Sequence, residues 1–71
     1  MYNTPLCTME KTYGQYRMRA DFHEDRAHVQ VCDMDNLRFP LMWAADMPKQ
    51  AAHGALEIFE RIGYFDYVPT V

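Results

Sequence analysis

The fold is decided by residues 15–31, which read QYRMRADFHEDRAHVQV. Apolar and polar side chains alternate in both halves of this stretch, and a period of two is typical of a strand that buries one face. The apolar members are Tyr16, Met18, Ala20 and Phe22 in the first half and Ala27, Val29 and Val31 in the second. The polar stretch 23–26 separates the halves and has turn composition. The sequence therefore predicts a β-hairpin with one apolar face.

A third strand is predicted after a second turn, Asp33-Met34-Asp35-Asn36, whose side chains can bond their own backbone. The apolar members of this strand are Leu37, Phe39, Leu41 and Trp43. Pro40 interrupts the set and cannot donate a ladder hydrogen bond. We therefore expect this strand to lie at a sheet edge or to bulge there.

The hydrophobic period changes to that of a helix near residue 46. Asp46 is expected to cap the helix and Pro48 to stand in its first turn, while Gly63 is typical of the position just past a helix end. One face carries Ala52, Ala55, Leu56, Phe59 and Ile62. This amphipathic helix is predicted to pack on the apolar face of the sheet, because that arrangement buries both patterns.

The chain ends are less regular. Residues 1–12 suggest an extended arm, with Leu6 and Met9 tucked against the body, and Tyr64 to Val68 is a candidate for a short fourth strand. The prediction is one α+β domain over residues 1–71: a three-stranded antiparallel meander with a C-terminal helix on one face (βββα). The opposite face of the sheet should be polar and solvated.

Composition places the chain among small globular proteins: 71 residues, 49% of them hydrophobic, with a net charge of −3. No apolar run is long enough to span a bilayer. The N-terminal residues lack the basic-then-apolar order of a secretory signal. Cys7 and Cys32 are therefore expected to be reduced thiols in a cytoplasmic protein, either a monomer or a homodimer.

Catalytic and metal chemistries find little support in the sequence. Structural zinc needs four Cys or His ligands, and the candidates are His23, His28, Cys7 and Cys32. His28 and Cys32 would stand about 13 Å apart on a regular strand, too far for one ion. The turn carboxylates should be solvated, and the scattered glycines form no phosphate loop. We predict no enzyme activity, no metal and no cofactor.

Two surfaces are candidates for binding a macromolecule. Arg17, Arg19 and Arg38 could follow a phosphate backbone if all three share the exposed sheet face. The C-terminal run from Tyr64 to Tyr67 cannot turn every ring inward, and exposed tyrosines often anchor protein interfaces. The residues predicted to bind a protein partner with a basic surface are Glu24, Asp25, Asp33, Asp35, Tyr64 and Tyr67.

In its size, mild acidity and lack of a catalytic motif, the chain resembles the small anti-CRISPR inhibitor proteins of phages. The helix Pro48-Lys49-Gln50-Ala51-Ala52-His53-Gly54-Ala55-Leu56 after a meander is similar to some of them. The resemblance is one of type and layout, and it carries over no functional residue. It implies an inhibitor that masks a basic site on a nucleic-acid-handling complex. A nucleic-acid-binding regulator and an antitoxin-like oligomeric subunit are the alternatives.

Overall fold

A computed structural model describes residues 4–65. Its elements, in chain order, are β1 (Cys7–Tyr13), β2 (Tyr16–Phe22), β3 (Ala27–Asp33), β4 (Leu41–Met47) and α1 (Lys49–Ile62). The four strands form one antiparallel sheet in the order β1-β2-β3-β4. The predicted α+β class, with an antiparallel meander followed by a C-terminal helix, is confirmed.

The N-terminal segment is a strand, so the expectation of an extended arm over residues 1–12 is wrong for its described part. Lys11 lies opposite Met18 on the helix-covered face of β1. A charged residue at this inward-facing position interrupts the apolar–polar alternation that would have indicated a strand. Its ammonium group lies 3.3 Å from Glu60 of the helix. Gly14 opens the two-residue turn to β2 with φ 61°, the type II′ arrangement that favours glycine at this position.

β2 and β3 form as predicted, and their inward side chains are the centre of the core. Directly opposite residues share a face of the sheet. The register pairs Met18 with Val31 and Ala20 with Val29, and all four are fully buried. The completely or almost completely buried apolar residues are Met18, Ala20, Phe22, Ala27, Val29, Val31, Met47, Ala52, Ala55, Leu56 and Phe59.

β4 is an edge strand with a register shift opposite Val31 and Cys32, so both consequences expected from Pro40 are present. The strand begins only at Leu41, however, and the prediction that Leu37 and Phe39 belong to it is wrong. Both lie in the preceding loop. Val31 faces Trp43 while Cys32 faces Leu41, which leaves Met42 as the extra residue of a bulge and places Leu41 on the uncovered face.

The helix buries Ala52, Ala55, Leu56 and Phe59 as predicted, whereas Ile62 is 64% exposed. Asp46 is not its cap: it belongs to β4, and Pro48 occupies the N-cap position without a side-chain hydrogen bond. Gly63 ends the helix in the left-handed conformation, as expected, and its amide donates to Phe59 O at 2.8 Å. No helix within residues 4–65 has the length and apolar character required to span a bilayer.

The chain beyond the helix folds back over the sheet. The Phe65 ring lies 6.5 Å from that of Tyr16 and 6.3 Å from that of Trp43. Neither Tyr64 nor Phe65 is in a strand, and the rest of the candidate C-terminal strand, residues 66–68, lies outside the described residues. The helix end therefore comes to the same end of the sheet as the β1–β2 turn and the β3–β4 loop.

Candidate protein-binding surface

The connections at the two ends of β3 differ in chemistry. The β2–β3 turn, residues 23–26, is polar throughout, whereas the β3–β4 loop, residues 34–40, contains Met34, Leu37 and Phe39. β3 spans Ala27–Asp33, so the two connections lie about 20 Å apart. They belong to separate surfaces of the molecule.

Hydrogen bonds fix the backbone of the β3–β4 loop. The Asp33 carboxylate accepts from the Asp35 amide at 3.0 Å and from Gln15 Nε2 at 3.1 Å. Asn36 Oδ1 accepts from the Phe39 amide at 3.1 Å. Where the loop begins and ends, Met34 N donates to Gln15 O at 2.8 Å and Asp33 N donates to Pro40 O at 2.7 Å. The loop is therefore a defined structure tied to the neighbouring β1–β2 turn.

This bonded loop and the start of β4 hold large apolar side chains in solvent. We call Met34, Leu37, Phe39, Leu41 and Met42 the apolar segment. Leu37 is 90% exposed and Phe39 is 71% exposed, and the other members are exposed by 44–53%. The Arg38 guanidinium lies 5.9 Å from the centre of the Phe39 ring, within cation–π range. The surface thus combines exposed aliphatic and thioether side chains with one exposed aromatic ring.

The structure divides the residues predicted to bind a partner between the two ends. Asp33 and Asp35 lie at the apolar segment. Tyr64 is 49% exposed at the same end, since it lies between Gly63, which packs on the Tyr13 ring, and Phe65. Glu24 and Asp25 lie in the turn at the opposite end of β3. Tyr67 is outside the described residues. The predicted acidic surface is therefore two separate groups, and the carboxylate of Asp33 is already bonded to the Asp35 amide and to Gln15 of the β1–β2 turn.

The three arginines of the nucleic-acid hypothesis do not form one cluster. Arg17 and Arg19 share the uncovered face of β2, with Glu10 4.0 Å from Arg17 and Asp21 3.1 Å from Arg19. The expectation that Arg38 lies on the same face of the third strand is wrong, because it belongs to the β3–β4 loop. The two sheet arginines are each partly neutralised, Arg17 by Glu10 on the neighbouring strand β1 and Arg19 by Asp21 on its own strand.

A polar row crosses the uncovered face near the β2–β3 turn: Thr8, Asp21, His28 and Asp46, each opposite the next. Asp21 accepts from Thr8 Oγ1 at 2.8 Å and from Arg19 Nε at 3.1 Å, and His28 Nδ1 lies 2.8 Å from Asp46 Oδ1. Partial burial raises the pKa of Asp21. The bonds from Thr8 and Arg19 and the charges of Arg19 and His28 outweigh burial, so that this pKa falls below its ordinary value of 3.8.

The histidines and thiols do not converge. Cys32 lies on the uncovered face opposite Arg17, whereas Cys7 pairs with Phe22 at the other end of β2, and both cysteines are free. Within residues 4–65 no three His, Cys, Asp or Glu side chains are placed to share a metal ion. The predicted separation of His28 from Cys32 agrees with their places in the regular β3 strand.

One shallow groove runs between β1 and the helix. Its volume is about 230 Å³, and it is lined by Met9, Lys11, His53, Leu56, Glu57 and Glu60. The Lys11–Glu60 ion pair occupies two of its lining positions, and His53 stacks on Phe22 at 4.6 Å. Sites for drug-sized ligands have volumes of about 300 Å³ or more and converging polar groups. This groove offers a small ligand little enclosure.

Sequence reasoning missed the apolar segment because it assigned Leu37 and Phe39 to a buried strand. A signal was available in the neighbouring residues. Asn36 can bond the backbone locally, and Pro40 imposes a break, so the intervening Leu37-Arg38-Phe39 is short for a strand. Apolar residues between two turn-forming residues indicate a loop as readily as a strand.

Comparisons of the chain with protein-family models, curated proteins and solved structures gave no match. The exposed surface of the protein is therefore the basis for assigning a function.

Proposed function

We propose that this protein is a non-catalytic protein-binding module whose contact surface is the apolar segment, flanked by Asp35 and Tyr64. The supporting observation is the exposure of Leu37 and Phe39 on a loop whose backbone is already hydrogen-bonded. Large exposed apolar groups that are close together are typical of interaction sites. Phe39 is the candidate central anchor, because aromatic side chains supply much of the binding energy in protein interfaces.

The hydrogen bonds of the loop keep its side chains exposed, and they should also increase the affinity for a partner. Ordering a flexible segment upon binding costs about 0.5–1.5 kcal/mol for each immobilised side chain, in addition to the backbone cost. Hydrogen bonds from Gln15, Asp35 and Phe39 already restrict this loop in the free protein. A partner would therefore meet a surface close to its bound shape.

The charge of the chain suggests the kind of partner. The net charge is −3, and Asp35 stands beside the apolar segment. A partner with a basic surface suits this arrangement, since complementary charge accelerates encounter. The specific form of the proposal is an inhibitor that covers a basic site of a nucleic-acid-handling complex, in the manner of anti-CRISPR proteins. The free thiols Cys7 and Cys32 suit the reducing cytoplasm, where we place it.

Nucleic-acid binding through Arg17, Arg19 and Arg38 is a weaker candidate. Glu10 and Asp21 lie beside the two sheet arginines, and Arg38 lies over Phe39 in the loop. Replacing all three by alanine tests this alternative. A fall in affinity for RNA or DNA together with a flatter salt dependence would support it over the protein-binding proposal.

The proposal is tested by affinity purification from the source cells followed by calorimetry with the protein retained. The double variant Leu37→Ser/Phe39→Ser should lose at least about 2 kcal/mol of binding energy, which is roughly a thirtyfold rise in Kd. Leu6→Ser is the matched control: Leu6 is also an exposed apolar residue, at 70%, but its amide donates to Phe22 O at the opposite end of the sheet.

The control variant should bind like the wild type. Equal affinity of the double variant and the wild type would overturn the assignment of the surface. A partner that is lost equally with Leu6→Ser would overturn it as well.

A further inference from the structure

β4 forms one edge of the sheet, and within residues 4–65 no strand pairs with its outer side. The direction of its backbone groups follows from the bond that Asp33 N donates to Pro40 O. Hydrogen-bonded positions recur at every second residue of an antiparallel pair. Because β4 has a bulge at Met42, the positions are counted along β3, from Asp33 to Val31, Val29 and Ala27. Their partners Trp43, Ala45 and Met47 therefore bond to β3. Ala44 and Asp46, between them, direct their N–H and C=O groups outward.

The other edge, β1, carries a charge that opposes self-pairing. By the same alternation, starting from the bond that His23 N donates to Arg26 O, the outward positions of β1 are Thr8, Glu10 and Thr12. Pairing two copies of β1 about its central residue would set Glu10 opposite Glu10 of the second copy. Like charges directly opposite each other destabilise a sheet.

β4 has no such protection in its regular part, Trp43–Met47, which follows the bulge at Met42. Its single charged residue is Asp46, and its central residue is Ala45. A two-fold axis at Ala45 sets Asp46 opposite Ala44 of the second copy, so no like charges meet. Opposed residues also lie on matching faces: Trp43 meets Met47 on the helix-covered face, and Ala44 meets Asp46 on the uncovered face.

We infer that β4 pairs antiparallel with β4 of a second copy, about a two-fold axis at Ala45. The pairing joins two four-stranded sheets into one continuous sheet with both helices on the same face. Ala44 and Asp46 exchange main-chain hydrogen bonds with Asp46 and Ala44 of the second copy. Ala44 and Ala45 are small enough to let the strands approach closely.

The apolar residues at the start of β4 fit this arrangement. Leu41 is 53% exposed and Met42 is 47% exposed. In the proposed register they continue past Met47 of the second copy and cover its Pro48. An exposed and largely uncharged strand edge can pair with the edge of a second chain. Proteins usually protect such edges against this association. The dimer thus covers two members of the apolar segment, whereas its two most exposed members, Leu37 and Phe39, stay outside the strand pairing and accessible to the proposed partner.

The register is tested with two opposite charges at one exposed position, by analytical ultracentrifugation of the full chain. The wild type should show a monomer–dimer equilibrium with a Kd on the order of 10 μM. Ala44→Lys sets an ammonium opposite Asp46 of the second copy and should tighten the dimer. Ala44→Asp sets a carboxylate there and should weaken it. Because each contact occurs twice, the two variants should differ in Kd by roughly tenfold or more.

Proline variants at the two edges separate this proposal from a loss of folding. Ala44→Pro removes an outward N–H of β4 and leaves the bonds to β3, so it should weaken the dimer at least about tenfold while the circular dichroism spectrum is kept. Thr12→Pro makes the same change on the β1 edge and should leave the dimer intact. A wild-type monomer at about 100 μM, equal Kd values for the two charge variants, or an equal loss with Thr12→Pro would overturn the inference.

Discussion

Two aspartates, one near each end of β3, differ in the parts of the structure that their hydrogen bonds connect. Asp21, near the β2–β3 turn, accepts hydrogen bonds from the side chains of Thr8 and Arg19 on two strands. Asp33, at the other end, accepts from the Asp35 amide and from Gln15, and so it shapes a connection. The first carboxylate joins strands that are already paired. The second determines how a loop presents its side chains.

The two ends of β3 therefore differ in what their hydrogen bonds hold in place. At the Asp21 end, the polar row lies on a regular ladder, and the turn side chains Glu24 and Asp25 extend into solvent. At the Asp33 end, the bonded backbone keeps Leu37 and Phe39 out of the core. The hydrogen-bonded loop thus holds these two side chains in solvent, and the exposed apolar surface depends on a few hydrogen bonds.

Removing the Asp33 carboxylate should have the largest effect on stability. Asp33→Ala leaves the Asp35 amide and Gln15 to bond with water instead of the carboxylate. We expect a loss of about 1–2 kcal/mol in the free energy of unfolding, measured by urea titration, since each bond contributes about 0.5–1.5 kcal/mol net. Asp33→Asn keeps an acceptor oxygen and should recover part of this loss. Asp25→Ala, at the other end, removes only an exposed pair with Arg26 at 3.6 Å and should change stability by less than about 0.5 kcal/mol.

Equal losses for Asp33→Ala and Asp25→Ala would show that the two connections do not differ in the way the hydrogen bonds indicate. A loop that loses its shape should also bind the partner less tightly. Asp33→Ala should therefore weaken binding in the assay used for the Leu37 and Phe39 variants, although Asp33 need not touch the partner.

The same two ends mark what could be predicted from sequence. β2, β3 and the helix follow from period and turn chemistry, because each has one face that is almost wholly apolar. β1 was missed because Lys11 occupies an inward-facing edge position and is satisfied by Glu60, which is distant in sequence. Asp46 looked like a helix cap, but its position in the ladder opposite His28 makes it a strand residue.

The candidate site was the least predictable part, for a physical reason. An apolar residue in a sequence carries the same local signal whether it is buried or exposed. Leu37 and Phe39 are exposed because Asn36 and Asp33 bond the loop backbone, and Gln15, whose side chain also holds Asp33, comes from another hairpin. Of the residues predicted to bind a partner, Asp33, Asp35 and Tyr64 lie at this end, but the sequence did not indicate that the fold brings them to one end.

Asp21 should give the polar end a pH-dependent contribution of intermediate size. Its pKa in the folded protein is lowered, so the stabilisation is present above the ordinary value of 3.8 and is lost as pH falls through the folded-state pKa. Asp21→Asn should be about 0.5–1 kcal/mol less stable than the wild type near about pH 7, because it loses the charge beside Arg19. Urea titrations of both proteins should show this difference shrinking toward about pH 3.

A difference between wild type and Asp21→Asn that stays constant across this range would contradict the assignment of the pH dependence to the Asp21 charge. The matched control is Asp35→Asn at the other end. This variant changes an exposed surface residue and should alter the free energy of unfolding by less than about 0.5 kcal/mol near about pH 7.

Charge reversal should have the smallest effect on stability. Its effects on the association and dissociation rates distinguish the two ends of β3 most directly. Glu24→Lys/Asp25→Lys alters a turn about 20 Å from the apolar segment, so it should slow association with a basic partner a few-fold and leave dissociation unchanged. Asp35→Lys alters a residue beside the contact and should also speed dissociation. Surface plasmon resonance at low and high salt separates the two rates. If the turn variant speeds dissociation more than Asp35→Lys does, the contact surface includes the β2–β3 turn, and the assignment to the apolar segment is wrong.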